Sequence, residues 1–400
     1  MQRDWEEKEF VQCLIPVSIE RSKQIQANSY LKMGKYPVVD QGQDLVAGWT
    51  NDENALIKED LPLIIFGDHT RIFKYVDFPF ALGADGTKLI KPKQGEFSTR
   101  FFYYYLLTLN ISARGYNRHY KLLKEQRIRY PSFAEQQKIA AVLFEIQKAI
   151  EIQESIIEKT RELKKSTLHY VFMHGLRGEK LKETEIGQIP ARWDVLPIGK
   201  AYDFTKKPRE IVYSNYDQLP FIAMDLIPID TPHLEKFNLK KSTEISSGTY
   251  IEDGDILIAK ITPCFENGKQ SVVAGLPNGF GIASTEIIPI KEKPEISDKY
   301  FLYYYLLKDD VRKLIAGKME GATGRQRIPV HLIRELLIPF PSLPEQQKIA
   351  KLFLTVDKKI ELHAATKSDL QDLFKTMLSK LMTGEIRVKD LDIDVSEVNA

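Results

Sequence analysis

The sequence predicts an α+β protein in which two mixed α/β domains are joined by two long antiparallel helices that form a coiled coil. The two halves are related by a pseudo-twofold internal repeat. FFYYYLL at 101–107 returns as FLYYYLL at 301–307, with six of seven positions identical. PSFAEQQKIA at 131–140 returns as PSLPEQQKIA at 341–350, with eight of ten identical. Each decapeptide leads into a long proline-free stretch, which is typical of a helix.

The composition is that of a folded protein. Of 400 residues, 43% are apolar and 28% charged, which excludes a wholly disordered chain. No apolar run approaches the ~18 residues of a membrane span, and the acidic N-terminus is unlike a signal peptide. Cys13 and Cys264 cannot make a disulfide framework or a multi-cysteine zinc site, so a cytoplasmic location is expected. The formal net charge is only +2, so any basic surface must be local.

Changes in composition along the chain predict the domain boundaries. Residues 1–130 form the first mixed domain and 131–176 the central long helix. A charged linker punctuated by Gly and Pro, together with the second mixed domain, occupies 177–340. The distal long helix follows at 341–384 and a C-terminal tail at 385–400, of which the acidic part from Val388 to Ala400 is expected to be frayed.

Within each mixed domain, short apolar runs predict strands. Residues 61–66 and 255–261 are examples, bounded by Gly, Asp and Pro. The tyrosine-rich runs at 101–107 and 301–307 are continuous and predict helices. Their tyrosines either pack in the core with hydroxyl groups at its rim or stack on nucleic-acid bases, and core packing is the more common situation.

Start and stop signals bound both long helices. Ser132 and Glu135, and likewise Ser342 and Glu345, have the spacing of a capping box, in which the glutamate reaches back to the serine amide. A glycine closes each helix. Apolar residues recur at steps of four and three, which indicates a coiled-coil seam. The residues expected to pack the helices together are Ile139, Leu143, Ile146, Ile150, Ile349, Phe353, Val356, Ile360 and Phe374.

Motifs of common enzyme chemistries are missing from the sequence. No glycine–lysine pair is followed by Ser or Thr as a P-loop requires, and no H-E-x-x-H, G-x-S-x-G or G-x-G-x-x-G motif is present. The Asn-Pro-Pro-Phe or Asp-Pro-Pro-Tyr tetrapeptide of an amino-methyltransferase is also missing. We therefore expect the chain to carry no catalysis and to bind no metal or cofactor of its own.

Basic polar stretches precede both long helices, at 111–130 and 311–330. Lys and Arg neutralise phosphates, while Arg, Asn and Gln can bind base edges. A single basic run is usually a solvated face. Two of them at equivalent places in the repeat, in a chain that is otherwise balanced in charge, favour contact with DNA.

Two polar loops follow predicted strands. GDHTR lies at 67–71, and KITP at 260–263 is followed by ENGK at 266–269. These loops are either further candidates for contact with a ligand or turns, because Asp, Asn and Gly supply turn geometry without any function.

Taken together, these segments resemble the specificity (S) subunits of type I restriction–modification enzymes. The strongest resemblance is in the repeated decapeptides, in GDILIAKITP at 254–263 with ENGK and the STE at 284–286, and in TEIGQIPARW at 184–193. GDHTR with DGTKLI at 85–90 resembles one subtype of the family's recognition domain. The first copy of the repeat lacks the IGQIP segment that leads into the second domain. Only a tryptophan, Trp5, precedes the first domain, so the start of that domain stays open.

The resemblance implies a non-catalytic reader of double-stranded DNA. Each mixed domain would be a target recognition domain for half of a bipartite sequence, and the helices would be the spacer and dock two methyltransferase (M) subunits. Those partners would bring S-adenosylmethionine and adenine N6 methylation, and restriction (R) subunits would bring ATP- and Mg²⁺-dependent cleavage. No membrane association is implied. The residues expected to contact DNA are Asp68, His69, Thr70, Arg71, Arg114, Arg118, Lys121, Lys260, Thr262, Asn267, Lys269, Lys313, Thr323, Arg325 and Gln326.

Two other functions remain open at this point. One is a specificity subunit that serves a fused methyltransferase–nuclease, which neighbouring genes would distinguish. The other is a coiled-coil scaffold that does not bind DNA, which predicts no DNA affinity even with the methyltransferase partner present.

Overall fold

The computed structural model describes residues 4–17, 23–83, 86–112, 118–234, 236–322 and 324–398. The chain divides into two compact units, one made of Met1–Gln153 with Thr366–Ala400 and the other of Glu154–Ala365. In the described part of the chain, no helix combines the length and the apolar character needed to cross a membrane.

The first unit contains the first mixed domain. Its strands are β1 (Glu6–Glu9), β2 (Leu14–Ile15), β3 (Tyr36–Val39), β4 (Gly48–Thr50), β5 (Leu63–Gly67), β6 (Phe73–Val76), β7 (Ala81–Leu82), β8 (Thr87–Pro92) and β9 (Arg127–Tyr130). Its helices are α1 (Thr99–Leu107), α2 (Tyr120–Lys124) and the first part of the long α3 (Phe133–His174). One-turn 3₁₀ helices lie at Phe10–Cys13, Ala27–Ser29 and Glu53–Ala55.

The second unit contains the rest of α3, a hairpin and the second mixed domain. The strands are β10 (Leu181–Thr184), β11 (Gly187–Pro190), β12 (Asp194–Pro197), β13 (Tyr202–Phe204), β14 (Gln218–Ile222), β15 (His233–Leu234), β16 (Asn238–Lys241), β17 (Thr249–Glu252), β18 (Ile256–Ala259), β19 (Gln270–Val273), β20 (Phe280–Ala283), β21 (Ile287–Glu292) and β22 (Leu337–Phe340). The helices are α4 (Ile198–Ala201), α5 (Lys299–Leu306), α6 (Asp309–Ala316), α7 (Val330–Glu335) and α8 (Leu343–Met382), whose last part lies in the first unit. One-turn 3₁₀ helices lie at Tyr213–Asn215, Met224–Leu226, Ser242–Glu244 and, after α8, Ser396–Val398.

The sheet topology confirms the internal repeat. In the first domain one sheet has the order β2-β8-β5-β6 and another β4-β3-β7, while the second domain repeats them as β13-β21-β18-β19 and β16-β14-β20. The pair β3–β7 is parallel, and so is its counterpart β14–β20. An antiparallel ribbon, β1–β9 or β12–β22, closes each domain. The second domain extends its sheets with β15 and β17.

This topology also locates the start of the first domain. Trp5 directly precedes β1, just as Trp193 directly precedes β12. In the ribbons, Glu6 pairs with Tyr130 and Asp194 with Phe340. The first domain therefore begins at the same point of the fold as the second, although it lacks the IGQIP entry.

The tyrosine-rich runs form helices α1 and α5, as predicted. Tyr104, Tyr303 and Tyr304 are fully buried, and each belongs to the main hydrophobic core of its own domain. The core-packing alternative is thus confirmed for these side chains, and base stacking is excluded for them because no ligand can reach a fully buried ring.

A buried glutamine joins each domain to its long helix. Gln136 accepts a hydrogen bond from the Ser98 amide (3.1 Å) and donates to the carbonyl groups of Glu96 and Pro131 (both 3.0 Å). Ser98 is the N-cap of α1. Gln346 makes the same set of bonds at the start of α8, with the Asp298 amide (3.0 Å) and the carbonyl groups of Ile296 and Pro341. The spacing that the two copies of the decapeptide share is therefore that of a helix anchor.

The capping-box prediction is wrong for the glutamates. The Glu135 amide donates to Ser132 Oγ (3.4 Å) as expected, but the Glu135 carboxylate does not reach back. It accepts two hydrogen bonds of 2.7 Å from Arg387, which follows α8. Glu345 at the start of α8 accepts from Arg192 (2.5 Å) and from the indole N–H of Trp193 (3.1 Å), which follow α3. Each glutamate is thus held by the segment that follows the other long helix.

The long helices begin and end within two residues of the predicted signals. Gly175 and Gly384 stop them with φ of 70° and 67°, as the left-handed C-cap requires. The two helices run antiparallel and pack together in each unit. In the first, Ile139 and Leu143 share a core with Leu381 and Met382; in the second, Ile349 shares one with Leu168, Val171 and Phe172.

The predicted packing stripe serves two purposes rather than one. Ile139, Leu143, Ile349 and Phe353 are fully buried because the first turns of each helix join the core of the preceding domain. The other members are partly buried: Ile146, Ile150, Val356, Ile360 and Phe374. The interpretation as a helix–helix seam is therefore incomplete, since the start of each stripe also attaches the helix to its domain.

The prediction of a frayed tail is wrong for the residues described up to 398. Val388 is buried, and Ile386, Ile393 and Val395 pack against the core of the first unit. The Lys138 ammonium group of α3 donates to two carbonyl groups of the tail. The acidic composition is misleading here because apolar residues alternate with the charges.

Removing the arginine that holds Glu135 should destabilise the first unit. Arg387→Ala leaves a carboxylate that is 2% exposed without its bidentate partner, which should lower the free energy of unfolding by about 1–3 kcal/mol. Thermal and urea unfolding measure it. Lys375→Ala is the control, because Lys375 makes only an exposed pair with Asp372 and should change stability by less than ~0.5 kcal/mol. Equal stabilities would contradict a structural role for the Arg387 contact.

Candidate nucleic-acid interface

Both domains place a polar loop after the same central strand. The loop 67–71 follows β5, and the turn 260–269 follows β18, its counterpart in the repeat. In each domain the segment that leads to the last strand, β9 or β22, folds back beside this loop. The fold thus brings the predicted loops and the predicted basic stretches together twice.

In the first domain, Asp68 makes this connection. Its carboxylate accepts a hydrogen bond from the Tyr120 amide (2.7 Å), and its carbonyl group accepts from the His119 amide (3.0 Å). Asp68 is only 2% exposed, so its side chain positions the loop against α2. A direct contact between the Asp68 side chain and DNA would require this arrangement to change. The contact stays a prediction.

The rest of the loop is held by its backbone conformation and by hydrogen bonds of its side chains. Thr70 donates to the Gln41 carbonyl group (2.7 Å), and the Arg71 guanidinium to the Ile111 carbonyl group (2.8 Å). Arg71 has a φ of 64°, a left-handed conformation that is uncommon outside glycine. His69 is partly buried, and its amide donates to the Gln41 side chain (3.3 Å). The loop therefore has a defined shape with the exposed Thr70 and Arg71 at its tip.

Several cations surround Tyr120 at the start of α2. Lys124 lies 5.1 Å and Lys88 5.9 Å from the centre of its ring, and Arg118 and Lys121 are exposed nearby in sequence. Lys88 is a candidate that sequence reasoning missed. It lies on β8, far from the basic run in sequence, and only the pairing of β8 with β5 brings it here. Arg114 lies outside the described residues.

In the second domain, the turn 260–269 and the loop 321–326 are joined through the backbone. The Thr262 amide donates to the Gln326 carbonyl group (3.0 Å), and the Ile328 amide to the Lys260 carbonyl group (2.8 Å). Glu320 and Arg327 exchange a pair of backbone hydrogen bonds that close the loop (2.9 and 2.8 Å). Thr262 also donates to the Glu266 carboxylate (2.7 Å). The exposed Asn267 and Arg325 belong to this joined surface.

An ion pair braces the same surface. The exposed Arg327 guanidinium donates to both carboxylate oxygens of Glu286, at 2.9 to 3.1 Å. This contact lowers the pKa of the Glu286 carboxyl group. The Glu286 carbonyl group in turn accepts from the Lys260 amide (2.9 Å). The STE segment at 284–286 is therefore a support for the loop, a role that its sequence alone did not indicate.

Other basic side chains of this domain have separate surroundings. The Lys269 ammonium group donates to the Met224 carbonyl group (2.8 Å) and is partly buried. Lys313 is exposed on α6.

Arg312, which the basic run 311–330 includes, is buried: its guanidinium donates to Gln270 (2.8 Å) and to the carbonyl groups of Phe265 and Leu306. Burial lowers the pKa of Arg312 to about 10. The interpretation of the run as one basic surface is wrong at this residue. Thr323 lies outside the described residues.

A family model described as the type I restriction modification DNA specificity domain matches residues 4–161 and 193–372. The type I restriction enzyme EcoAI specificity subunit of Escherichia coli is 30% identical over 199 residues, which is 48% of this chain and 33% of that protein. The EcoR124I/EcoR124II specificity subunit of the same organism is 23% identical over 339 residues, 82% of this chain and 81% of that one. The matched part of the chain thus covers only about a third of the length of the EcoAI relative.

Solved structures share the fold. The crystal structure of a type I restriction–modification system S subunit from M. genitalium matches with a TM-score of 0.59 at 18% identity, covering 94% of this chain and 96% of that one. A structure from work on the assembly of a type I R-M system has a TM-score of 0.55 at 15% identity. Its match covers 96% of this chain and 99% of that one.

Exposed lysines of the candidate interface should act through phosphates. Lys121→Ala and Lys313→Ala should each weaken binding to all DNA sequences alike, and each should reduce the slope of log affinity against log salt by about 0.9. Titrations of labelled duplexes at several salt concentrations measure it. Lys358→Ala, at an 81% exposed side chain of α8, is the control. A loss confined to one DNA sequence would contradict the assignment.

The loop closed by Glu320 and Arg327 should instead discriminate bases. Arg325→Ala or Gln326→Ala should relax one position of one half-site, by about 1–3 kcal/mol if the contact is bidentate. The measurement is competition by every single-base variant of the target at fixed salt. If both substitutions lower affinity equally for all variants, the loop holds phosphates or the fold, and it does not read bases.

Proposed function

The chain belongs to the type I restriction–modification DNA specificity family, and from this premise we propose that it is the DNA-specificity subunit of a type I restriction–modification complex. Each mixed domain is a target recognition domain that reads one half of a bipartite target. The observation that carries the proposal is the family match at two places, 4–161 and 193–372, on two copies of the same sheet topology.

The paired polar surfaces support the two-reader model. Each domain joins the loop after its central strand to the segment before its last strand, and exposed cations lie on both: Arg118 and Lys121 in one domain, Arg325 in the other. The connections differ in detail, since the first uses both the carboxylate and the carbonyl group of Asp68, whereas the second runs through backbone hydrogen bonds alone. Two equivalent scaffolds with different surface residues suit two different half-sites.

The long helices are proposed to set the distance between the half-sites and to dock two methyltransferase subunits. Helices of 42 and 40 residues have a fixed rise of about 1.5 Å per residue, so they suit a spacer of constant length. Large apolar side chains stay exposed along them, among them Ile152, Leu163 and Leu373, at 45–63%. Such side chains are candidates for burial against a partner.

The chemistry is proposed to reside in the partners. Methyltransferase subunits would bind S-adenosylmethionine and methylate adenine N6, and restriction subunits would use ATP and Mg²⁺, all in the cytoplasm. This chain would supply binding and orientation only. Methyl transfer from S-adenosylmethionine by the purified chain alone would contradict this division of labour.

Exchanging one recognition domain should change one half of the methylated motif. Residues 185–340 are replaced by those of a relative with a different target, and the methylome of cells that carry the partner genes is sequenced. We expect one half-site to change, while the other half-site and the spacer length stay constant, because the first domain and both helices are retained. A change in both half-sites would refute the model of two independent readers.

A further inference from the structure

The two domains use equivalent tyrosines to contact the long helices. Tyr104 of α1 donates to Gln147 of α3 (3.0 Å), and Tyr304 of α5 donates to Asp357 of α8 (2.6 Å). Gln147 and Asp357 occupy the same place in the repeat, twelve positions after Glu135 and Glu345. The hydroxyl group of each tyrosine therefore bonds to the helix that follows its own domain.

The opposite long helix supplies the second contact of each tyrosine. The ring of Phe374, on α8, lies edge-on to Tyr104 at 5.9 Å between centres. At the equivalent place on α3, the Lys164 ammonium group lies 5.3 Å from the centre of the Tyr304 ring. Phe374 and Lys164 are thus counterparts by geometry, and they are also 210 positions apart, like the repeated decapeptides.

These two equivalent contacts differ in charge. In the second unit, Lys164 donates to Asp357 at 2.5 Å, and the two side chains are only 9% and 5% exposed. Burial raises the pKa of the Asp357 carboxyl group, while Lys164 and Tyr304 oppose the shift. In the first unit, the same two positions hold the neutral Gln147 and Phe374. The protein therefore has a buried ion pair at one of its two pseudosymmetric helix contacts and a neutral pair at the other.

A buried ion pair gives little net stability, but losing one partner is costly because the other charge stays buried. The first half of the chain contributes Lys164 and Gln147, and the second half contributes Asp357 and Phe374. If two first halves paired, each Lys164 would face Gln147. If two second halves paired, each Asp357 would face Phe374. Only the pairing of a first half with a second half neutralises both charges.

We infer that the Lys164–Asp357 pair selects the partner of each half: it makes the helices of one first and one second half pair, and it disfavours pairing of like halves. A single buried polar or charged position is known to fix partner and register in helix pairs. Each like pair would bury two uncompensated charges, so the penalty should be on the order of 100-fold or more in the pairing equilibrium.

The test uses the full chain, folded and then cut. A protease site is inserted at the exposed Glu185, in the turn between β10 and β11, and the folded protein is cleaved there. Two preparations carry different tags on the first half. They are mixed in mild denaturant to allow exchange and then returned to buffer. Purification through one tag, followed by detection of the other, measures how often two first halves pair.

Two variants with opposite chemistry lose the selection if the inference is correct. Lys164→Phe with Asp357→Gln makes both contacts neutral, whereas Gln147→Asp with Phe374→Lys makes both contacts ionic. In either variant, like and unlike halves offer equivalent contacts at these positions. We expect the fraction of like pairs to rise at least tenfold over the parent in both, while size and helical content of the uncut proteins stay unchanged.

A matched control removes a neighbouring pair that is exposed. Lys165 and Asp309 lie 2.6 Å apart with side chains 71% and 55% exposed, so Lys165→Phe with Asp309→Gln should leave partner choice as in the parent. The inference is overturned if the parent forms like pairs as often as the two variants do. It is also overturned if only the neutral variant loses selection. The stability that an ion pair adds, rather than its presence at only one of the two contacts, would then explain the result.

Discussion

The buried glutamine at the start of each long helix is the interaction on which the rest of the structure depends. The main-chain N–H groups in the first turn of a helix have no partner within that helix. The N-cap of α1, Ser98, is buried, and the N-cap of α5, Asp298, is partly buried. Gln136 and Gln346 accept from those N-cap amides and donate to two carbonyl groups each. Since both glutamines are fully buried, a change at either would leave several polar groups unpaired. Domain and helix are therefore held as one body within each unit.

The repeat preserves this anchor and varies what surrounds it. Glu135 and Glu345 are both held by a segment that follows the other long helix, but Arg387 does this in one unit and Arg192 with Trp193 in the other. In the described part of the chain, the buried indole N–H of Trp5 has no hydrogen-bond partner, whereas that of its counterpart Trp193 donates to Glu345. The two copies of the fold thus share the anchor and differ in the residues that pack around it.

The sequence could predict what depends on local pattern. The repeat, both long helices and their glycine stops, and the helical tyrosine runs follow from spacing and identity of residues close in the chain. The partners of Glu135 and Asp68 could not be predicted in this way, since Arg387 lies 252 residues and Tyr120 52 residues away. The burial of Arg312 could not be predicted for a related reason. An arginine usually lies on the surface, and only the tertiary fold provides the three acceptors that allow this one to be buried. The predicted DNA contacts stay predictions, although the fold brings the loops that carry them together.

The central claim is that each glutamine binds the N-cap amide of its domain, and amide hydrogen exchange tests it most directly. The amides of Ser98 and Asp298 lie outside the hydrogen-bond ladders of α1 and α5, so without the glutamines they would exchange quickly. The account predicts that they exchange as slowly as the amides of the central strands β5 and β18, and that Gln136→Leu accelerates Ser98 without affecting Asp298. Rapid exchange of both amides in the parent protein, at the rate of exposed loops, would contradict it.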